Sequence, residues 1–336
     1  MTSSNRTPNT LRQIVILGVG GTIAASAASA TQTHDYKLTG TLDTVLEQVP
    51  QLGEIANIRS EQVVNVASHE VDNAVLLRLA SRVNEHLADP AVDGVVITHG
   101  TDTLEETTYF LHLVVKIAKP VVVTGAMRPS SALSADGPLN LYNAVRVAIS
   151  EDAAGMGVLV VLDERVVSAR DATKTHTSAT DAFRGPDSVE LGALSGGRVR
   201  FAASPLRRHT CDTSFDLAAV QALPQVDIVY GYQNAGTHFF RAAIEAGARG
   251  IVFAATGNGS LSEAAKAGVL MARERGVAVV RSSRVAAGAV SECADDACYH
   301  TIAADTLNPP KARILLMLGL AHGMDTTALR RAFEIY

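Results

Sequence analysis

The chain has 336 residues, 47% of them hydrophobic, which is enough for two α/β domains or one large one. Net charge is −5, from 29 basic and 34 acidic residues, and no Lys/Arg-rich run occurs, so nucleic acid is not an expected partner. Aromatics make up only 4% and tryptophan is absent, which argues against platforms that stack sugars or bases.

Cysteine usage is equally restrictive. Cys211, Cys293 and Cys298 are too few, and odd in number, for a disulfide framework. No partner pair sits at zinc spacing, so no metal is expected.

Taken in order, residues 1–12 are polar and read as disordered. Arg12, the apolar Ile14–Leu17 and the Ala-rich stretch to Ala30 mimic a secretory leader. Gly18-Val19-Gly20-Gly21-Thr22 interrupts the apolar run, so the stretch reads as strand, glycine turn and mobile loop. A leaderless chain is expected in the cytoplasm, or is the mature form of a periplasmic protein. No run reaches the length of a membrane span. A dinucleotide fingerprint would need Gly or Ala at position 23, which is Ile.

A loop through His34, Asp35 and Tyr36 leads to a short helix marked by Leu42, Val45, Leu46 and Val49 and stopped by Pro50. Gln62–Ala67 reads as a strand ending at Ser68-His69-Glu70. Asp72 or Asn73 caps a helix with Leu76, Leu79, Ala80, Val83 and Leu87 on its core face. Val95-Val96-Ile97 is a strand buried on both faces. It ends at His99-Gly100-Thr101-Asp102-Thr103, before a helix with Glu105 and Glu106 in its first turn, where the helix dipole favours acids. Val121–Val123 ends at Thr124-Gly125-Ala126-Met127-Arg128-Pro129-Ser130. A helix around Leu141, Val145 and Ala148 and a strand Val158–Leu162 follow.

This β-α repetition predicts a parallel, doubly wound sheet. Residues 163–203 change character: Lys174 lies in a polar stretch, and Gly196-Gly197 joins a hairpin running to Phe201. Residues 205–225 read as a linker. From Val226 the β-α pattern restarts in a smaller unit of three or four strands. Its polar strand ends include Thr256–Gly259, and a long loop runs from Ala286 to Tyr299. The expected domains are 13–204 and 226–336.

Four strand ends of the first domain carry polar side chains: Thr22, Ser68 with His69, Thr101 with Asp102, and Met127–Ser130. Along one edge of a parallel sheet they converge on a site, where a single such end is only a helix cap. Thr22 and Thr101 are candidate nucleophiles, provided a neighbour takes the proton. Lys174 serves Thr101 if it is buried and neutral. Asp102 points the other way on an extended segment and suits a substrate cation. Tyr36 relays a proton if a carboxylate such as Glu292 orients it. Gly21 and Gly100 leave N–H groups free for an oxyanion. The plain alternatives are a turn threonine, a solvated lysine, a loop aromatic and a surface acid. Together the residues suggest acyl transfer from an amide or ester.

Several motifs carry a resemblance. Gly20–Ala24, Val95–Thr103 with Glu105-Glu106-Thr107, Gly125–Ser130, Ser134–Ala144, Arg170–Lys174, Gly257–Gly259, Arg281–Val285 and Leu307–Pro309 together resemble the bacterial L-asparaginase/glutaminase family, closest to its type II-like branch. The resemblance spans residues 13–336.

It implies a larger flavodoxin-like N-terminal domain, a smaller C-terminal α/β domain, and a homotetramer built from intimate dimers. The implied reaction is hydrolysis of L-asparagine to L-aspartate and ammonia, without cofactor. Thr22 is the implied nucleophile, with Tyr36 beside it, and Thr101 with Lys174 the second hydroxyl–amine pair. Asp102 is implied to hold the substrate α-ammonium and Ser68 its α-carboxylate, with Gly21, Gly100 and Ala126 around the ligand. Asn258 and an acid of the 286–299 loop, placed at Glu292, are implied to come from a neighbouring subunit.

Three departures stand out. His69 occupies a position where the family has Gln or Glu. The loop before Asp295-Asp296 is shorter. Ile117 stands where periplasmic relatives have a cysteine. Two other readings compete: an enzyme led by glutamine or another small amide, and a non-catalytic amino-acid binder. The binder predicts loss of Thr22, Thr101 or Lys174, and all three are present.

Overall fold

The computed structural model describes residues 11–336. The polar stretch 1–12 therefore lies outside the described residues except for Leu11 and Arg12. The Arg12 carbonyl accepts the Asn57 N–H at 2.9 Å. The chain forms two units. The first runs to Leu104 and takes up Val115–Arg184 and Val189–Pro205; the second comprises Glu105–Val114, Gly185–Ser188 and Leu206–Tyr336.

The first unit is built on an eight-stranded sheet. Its strands are β1 (Gln13–Gly20), β2 (Asn57–Val66), β3 (Gly94–Thr98), β4 (Val121–Thr124), β5 (Val158–Leu162), β6 (Arg165–Ser168), β7 (Gly192–Ser195) and β8 (Arg198–Phe201). The spatial order is β8-β7-β6-β5-β4-β3-β1-β2. From β2 to β5 all neighbours are parallel, in the flavodoxin-like order 2-1-3-4-5. Beyond β5 the sheet turns antiparallel, through the β5–β6 and β7–β8 hairpins. The large sheet is thus parallel-rich rather than wholly parallel. Gly196 and Gly197, at φ 56° and 71°, supply the left-handed pair that a tight two-residue hairpin requires.

Burial explains the strand choices. Every residue of β3, β4 and β5 is buried, as expected for runs of Val, Ile and Leu covered on both faces. β2 starts at Asn57, five residues before the expected Gln62, because its first half is a polar edge strand with little apolar signal. Helix α1 (Asn73–Ala88) is capped by the Asp72 carboxylate, which accepts from the Val75 N–H. Its buried side chains are Leu76, Leu79, Ala80, Val83 and Leu87, the face read from the sequence.

The order reverses between β1 and β3. The chain leaves β1 for β2 on one side and returns to β3 on the other. At such a switch point the loops after the two strands diverge and leave a crevice at their carboxyl ends. Thr22 follows β1, and Thr101 follows β3.

The second unit holds a four-stranded parallel sheet, β9 (Val226–Tyr230), β10 (Gly250–Ala255), β11 (Ala278–Ser283) and β12 (Ile302–Ala303), in sequence order. From Glu105 on, helix Leu104–Val114 falls in this unit, where Arg313 pairs with Glu106 at 3.5 Å and Asn308 donates to Glu105 at 3.3 Å. The stretch expected as a long loop, 286–299, contains a helix, Ala294–Tyr299. Among the described residues no helix is long and apolar enough to cross a membrane.

Candidate active site

The first unit brings most of the candidate residues together. Thr22 opens a 3-10 turn directly after β1 and is buried. A two-residue antiparallel ribbon, Ala25–Ser26 with Lys37–Leu38, folds the following loop back. This return sets the Tyr36 hydroxyl 2.9 Å from Thr22 Oγ1. The segment expected to be a mobile loop is thus tied at both ends. It is held further where Ser130 N donates to the Ala25 carbonyl at 2.9 Å and Ala27 N to Ser131 Oγ at 2.8 Å.

Gly21 and Gly100 are packed backbone to backbone. A Cβ on Gly21, whose φ is +89°, would lie 2.2 Å from Gly100 Cα. Only glycine permits that approach, and it locks the segments carrying Thr22 and Thr101 to each other. Ser68 joins the same cluster. Its hydroxyl accepts the Asp102 N–H at 3.1 Å, and its carbonyl accepts the Thr103 hydroxyl at 2.7 Å. The Ser68 hydroxyl keeps its own proton to donate to a carboxylate.

Lys174 reaches this cluster from a second ribbon, where it pairs with the buried Phe183. Its ammonium donates to Thr101 Oγ1 at 3.0 Å and to Asp102 Oδ1 at 2.6 Å. One expectation is corrected here. Asp102 does not point away from the Thr101–Lys174 pair; both residues share the one ammonium. His69, exposed on the turn Ser68–Glu70, places Nδ1 3.8 Å from Asp102 Oδ2.

Beneath the site lies His99, fully buried. Its Nδ1 pairs with the Gly100 carbonyl at 2.7 Å, which requires a proton on that nitrogen. Burial pushes the imidazole down to about 4, only partly opposed by that hydrogen bond. His99 is therefore a neutral support of the glycine turn.

Asn258 and Glu292 belong to the second unit. Asn258 Oδ1 accepts the Ser291 N–H at 2.7 Å, and its amide donates to Ser291 Oγ at 3.3 Å. Glu292, next in sequence, is exposed. The base of this loop is held by residues that the sequence reading left without a role. Arg281 Nε and Nη2 donate to the two Asp296 oxygens, and Arg281 also donates to the Gly259 and Ser291 carbonyls. Burial works to raise the Asp296 carboxyl, but hydrogen bonds from Arg281, Thr301 and the Cys293 N–H outweigh it and hold it below the usual carboxylate range. The available signal was an arginine directly after the apolar run Ala278-Val279-Val280, where a buried strand demands a buried partner.

Asp136 was also passed over. Its carboxylate accepts the Met127 and Arg128 N–H groups, each at 2.9 Å, and shapes the turn after the buried Ala126. Among the described residues no cluster of His, Cys, Asp and Glu could hold a metal ion.

Such a site offers two hydroxyls, each with its own proton partner, beside a carboxylate and a serine. That equipment suits acyl transfer from a zwitterionic amide.

Comparison with known proteins agrees. The family described as asparaginase, N-terminal, matches residues 13–207, and the glutaminase/asparaginase C-terminal domain matches residues 225–333. L-asparaginase 2 of Bacillus subtilis (strain 168) is 50% identical over 328 residues, covering 97% of this chain and 87% of that protein. Glutaminase-asparaginase of Pseudomonas fluorescens biotype A is 45% identical over 335 residues, covering 98% and 92%. The solved structure of a probable cytoplasmic L-asparaginase from Campylobacter jejuni superposes with a TM-score of 0.94 at 42% identity, covering 97% of this chain and all of that one.

Proposed function

Since the chain belongs to the asparaginase family, with both of its domains matched, we propose that it is an L-asparagine amidohydrolase releasing L-aspartate and ammonia, with L-glutaminase side activity. The observation that carries this reading is the pairing of two hydroxyls with two proton partners, Thr22 with Tyr36 and Thr101 with Lys174, at the ends of adjacent strands.

In this reading Thr22 Oγ attacks the side-chain carbonyl carbon of asparagine, and its proton passes to the Tyr36 hydroxyl as Tyr36 hands its own proton on to water. The oxyanion meets backbone N–H groups of the Gly21 and Gly100 turns. Ammonia leaves with a proton passed through Thr101 and Lys174. Water then attacks the Thr22 acyl ester, freeing aspartate and restoring the hydroxyl. Asp102 takes the α-ammonium and Ser68 the α-carboxylate, so both ends of the amino acid are read before the amide is reached.

We further propose a homotetramer of intimate dimers, in which Asn258 and Glu292 serve a neighbouring subunit's site. What supports this is that both residues are exposed and sit on two loops of the second unit that hydrogen bonds between Asn258 and Ser291 tie together. The three cysteines are free and exposed, which favours the reducing cytoplasm. The stretch 208–224, which neither family domain matches, supports residues 205–225 as the linker between the domains 13–204 and 226–336.

The test is ammonia release from L-asparagine and L-glutamine by the purified chain. Turnover of asparagine with slower turnover of glutamine is expected. A folded protein that releases ammonia from neither refutes the reading.

A further inference from the structure

Asp102 has two oxygens, and each faces a different cation-forming group. Oδ1 receives the Lys174 ammonium at 2.6 Å, and Oδ2 faces His69 Nδ1 at 3.8 Å. The other ring nitrogen of His69 lies 3.7 Å from Glu70 Oε1. The charged groups facing the imidazole are therefore Glu70 from its own turn and Asp102 from the loop after β3, with Lys174 behind Asp102. The His69 side chain is 64% exposed and that of Asp102 60%, so the pair opens towards whatever enters the site.

We propose that His69 makes binding of the substrate's α-ammonium dependent on pH, by competing for Asp102 Oδ2. The inference rests on the asparaginase reading, which gives Asp102 to the ammonium. A neutral imidazole leaves Oδ2 free for the ligand. An imidazolium pairs with Oδ2 itself and repels an incoming ammonium. Imidazole changes charge within the physiological range, and like charges a few ångströms apart disfavour one another. Exposure moderates the effect, so several-fold rather than thousand-fold changes follow. Linkage adds a second consequence: a ligand carrying the ammonium must expel a proton from His69 as it binds.

The experiment compares the full chain and His69→Gln with two ligands, L-asparagine and succinamate, which is asparagine without its amino group. Between about pH 7.5 and pH 5.5, the wild-type KM for asparagine is expected to rise by roughly fivefold or more relative to the apparent affinity for succinamate. His69→Gln should lose that pH-dependent ratio. Calorimetry of L-aspartate binding to the wild type near pH 6, in buffers of different ionisation enthalpy, should show net proton release. Equal pH profiles in both proteins, or binding without proton release, overturns the role of His69 while the enzyme reading stands. Absence of both ammonia release and aspartate binding in the folded wild type overturns the two together.

Discussion

Arg281 and Asp296 meet through two parallel hydrogen bonds, of 2.7 and 2.5 Å, with both side chains almost completely buried. The pair closes the base of the loop that carries Glu292, since Asp296 also accepts the Cys293 N–H and the Thr301 hydroxyl. A buried ion pair contributes little against a well-packed apolar pair, but breaking one partner strands a charge.

Asp296→Asn should therefore cost about 3 kcal/mol or more of stability, read as a lower urea midpoint. The double replacement Arg281→Met with Asp296→Leu should recover part of that loss. An Asp296→Asn midpoint equal to the wild type would show that the pair does not brace the second unit.

Thr22→Ala should abolish steady-state turnover and keep aspartate binding, because the change removes one hydroxyl and leaves in place Asp102 and Ser68, the groups proposed to hold the ammonium and carboxylate. Tyr36→Phe should lower kcat far more than it changes KM, as loss of a group that acts in proton transfer. Steady-state ammonia assays with calorimetry decide both. A Thr22→Ala enzyme retaining more than a few per cent of the rate would relocate the nucleophile.

Lys174→Met should lower kcat by at least roughly a hundredfold, the usual cost of removing a group that moves protons in the transition state. The same change frees Asp102 Oδ1, which the ammonium otherwise occupies. Aspartate affinity should therefore hold or improve as turnover falls. Loss of binding with unchanged kcat would assign Lys174 to the substrate rather than to the chemistry.

His99 predicts an acid limit to stability. Its imidazole takes up a proton near pH 6.5 once unfolded but only near about pH 4 when folded, because it is buried. Between those values the unfolded state binds more protons, so stability falls as the pH drops. The full contribution approaches about 3 kcal/mol. Thermal unfolding at about pH 6.5 and pH 4.5 measures it. His99→Gln should show a shallower decline over that interval than the wild type.

The sequence revealed those parts of the fold in which burial writes a period. β3, β4 and β5 were visible as unbroken apolar runs, and α1 as a face of five side chains. The start of β2 was hidden because Asn57–Glu61 lies at a sheet edge, with one neighbour strand and little apolar content. Helix Ala294–Tyr299 was hidden because it has a single buried residue, Asp296, so its order comes from an ion pair and not from an apolar stripe.

Much the same division holds at the site. Convergence of Thr22, Ser68 and Thr101 followed from reading polar strand ends along one edge of a parallel sheet. The Lys174–Asp102 contact, between residues 72 positions apart, depends on a two-residue ribbon that leaves almost no trace in the sequence.

The contact between Gly21 and Gly100 constrains how this protein can be changed. With a hypothetical side-chain carbon of one only 2.2 Å from the other's Cα, neither segment can shift without the other. The spacing of the two threonines is thus inherited as a block, not tuned by single substitutions. Directed evolution towards a longer or shorter amide would have to act on pieces that ride on the block, such as the Ser68–Glu70 turn or the Ala126–Ser130 loop. Libraries that randomise the glycines themselves would spend nearly all their members on chains that never assemble the crevice.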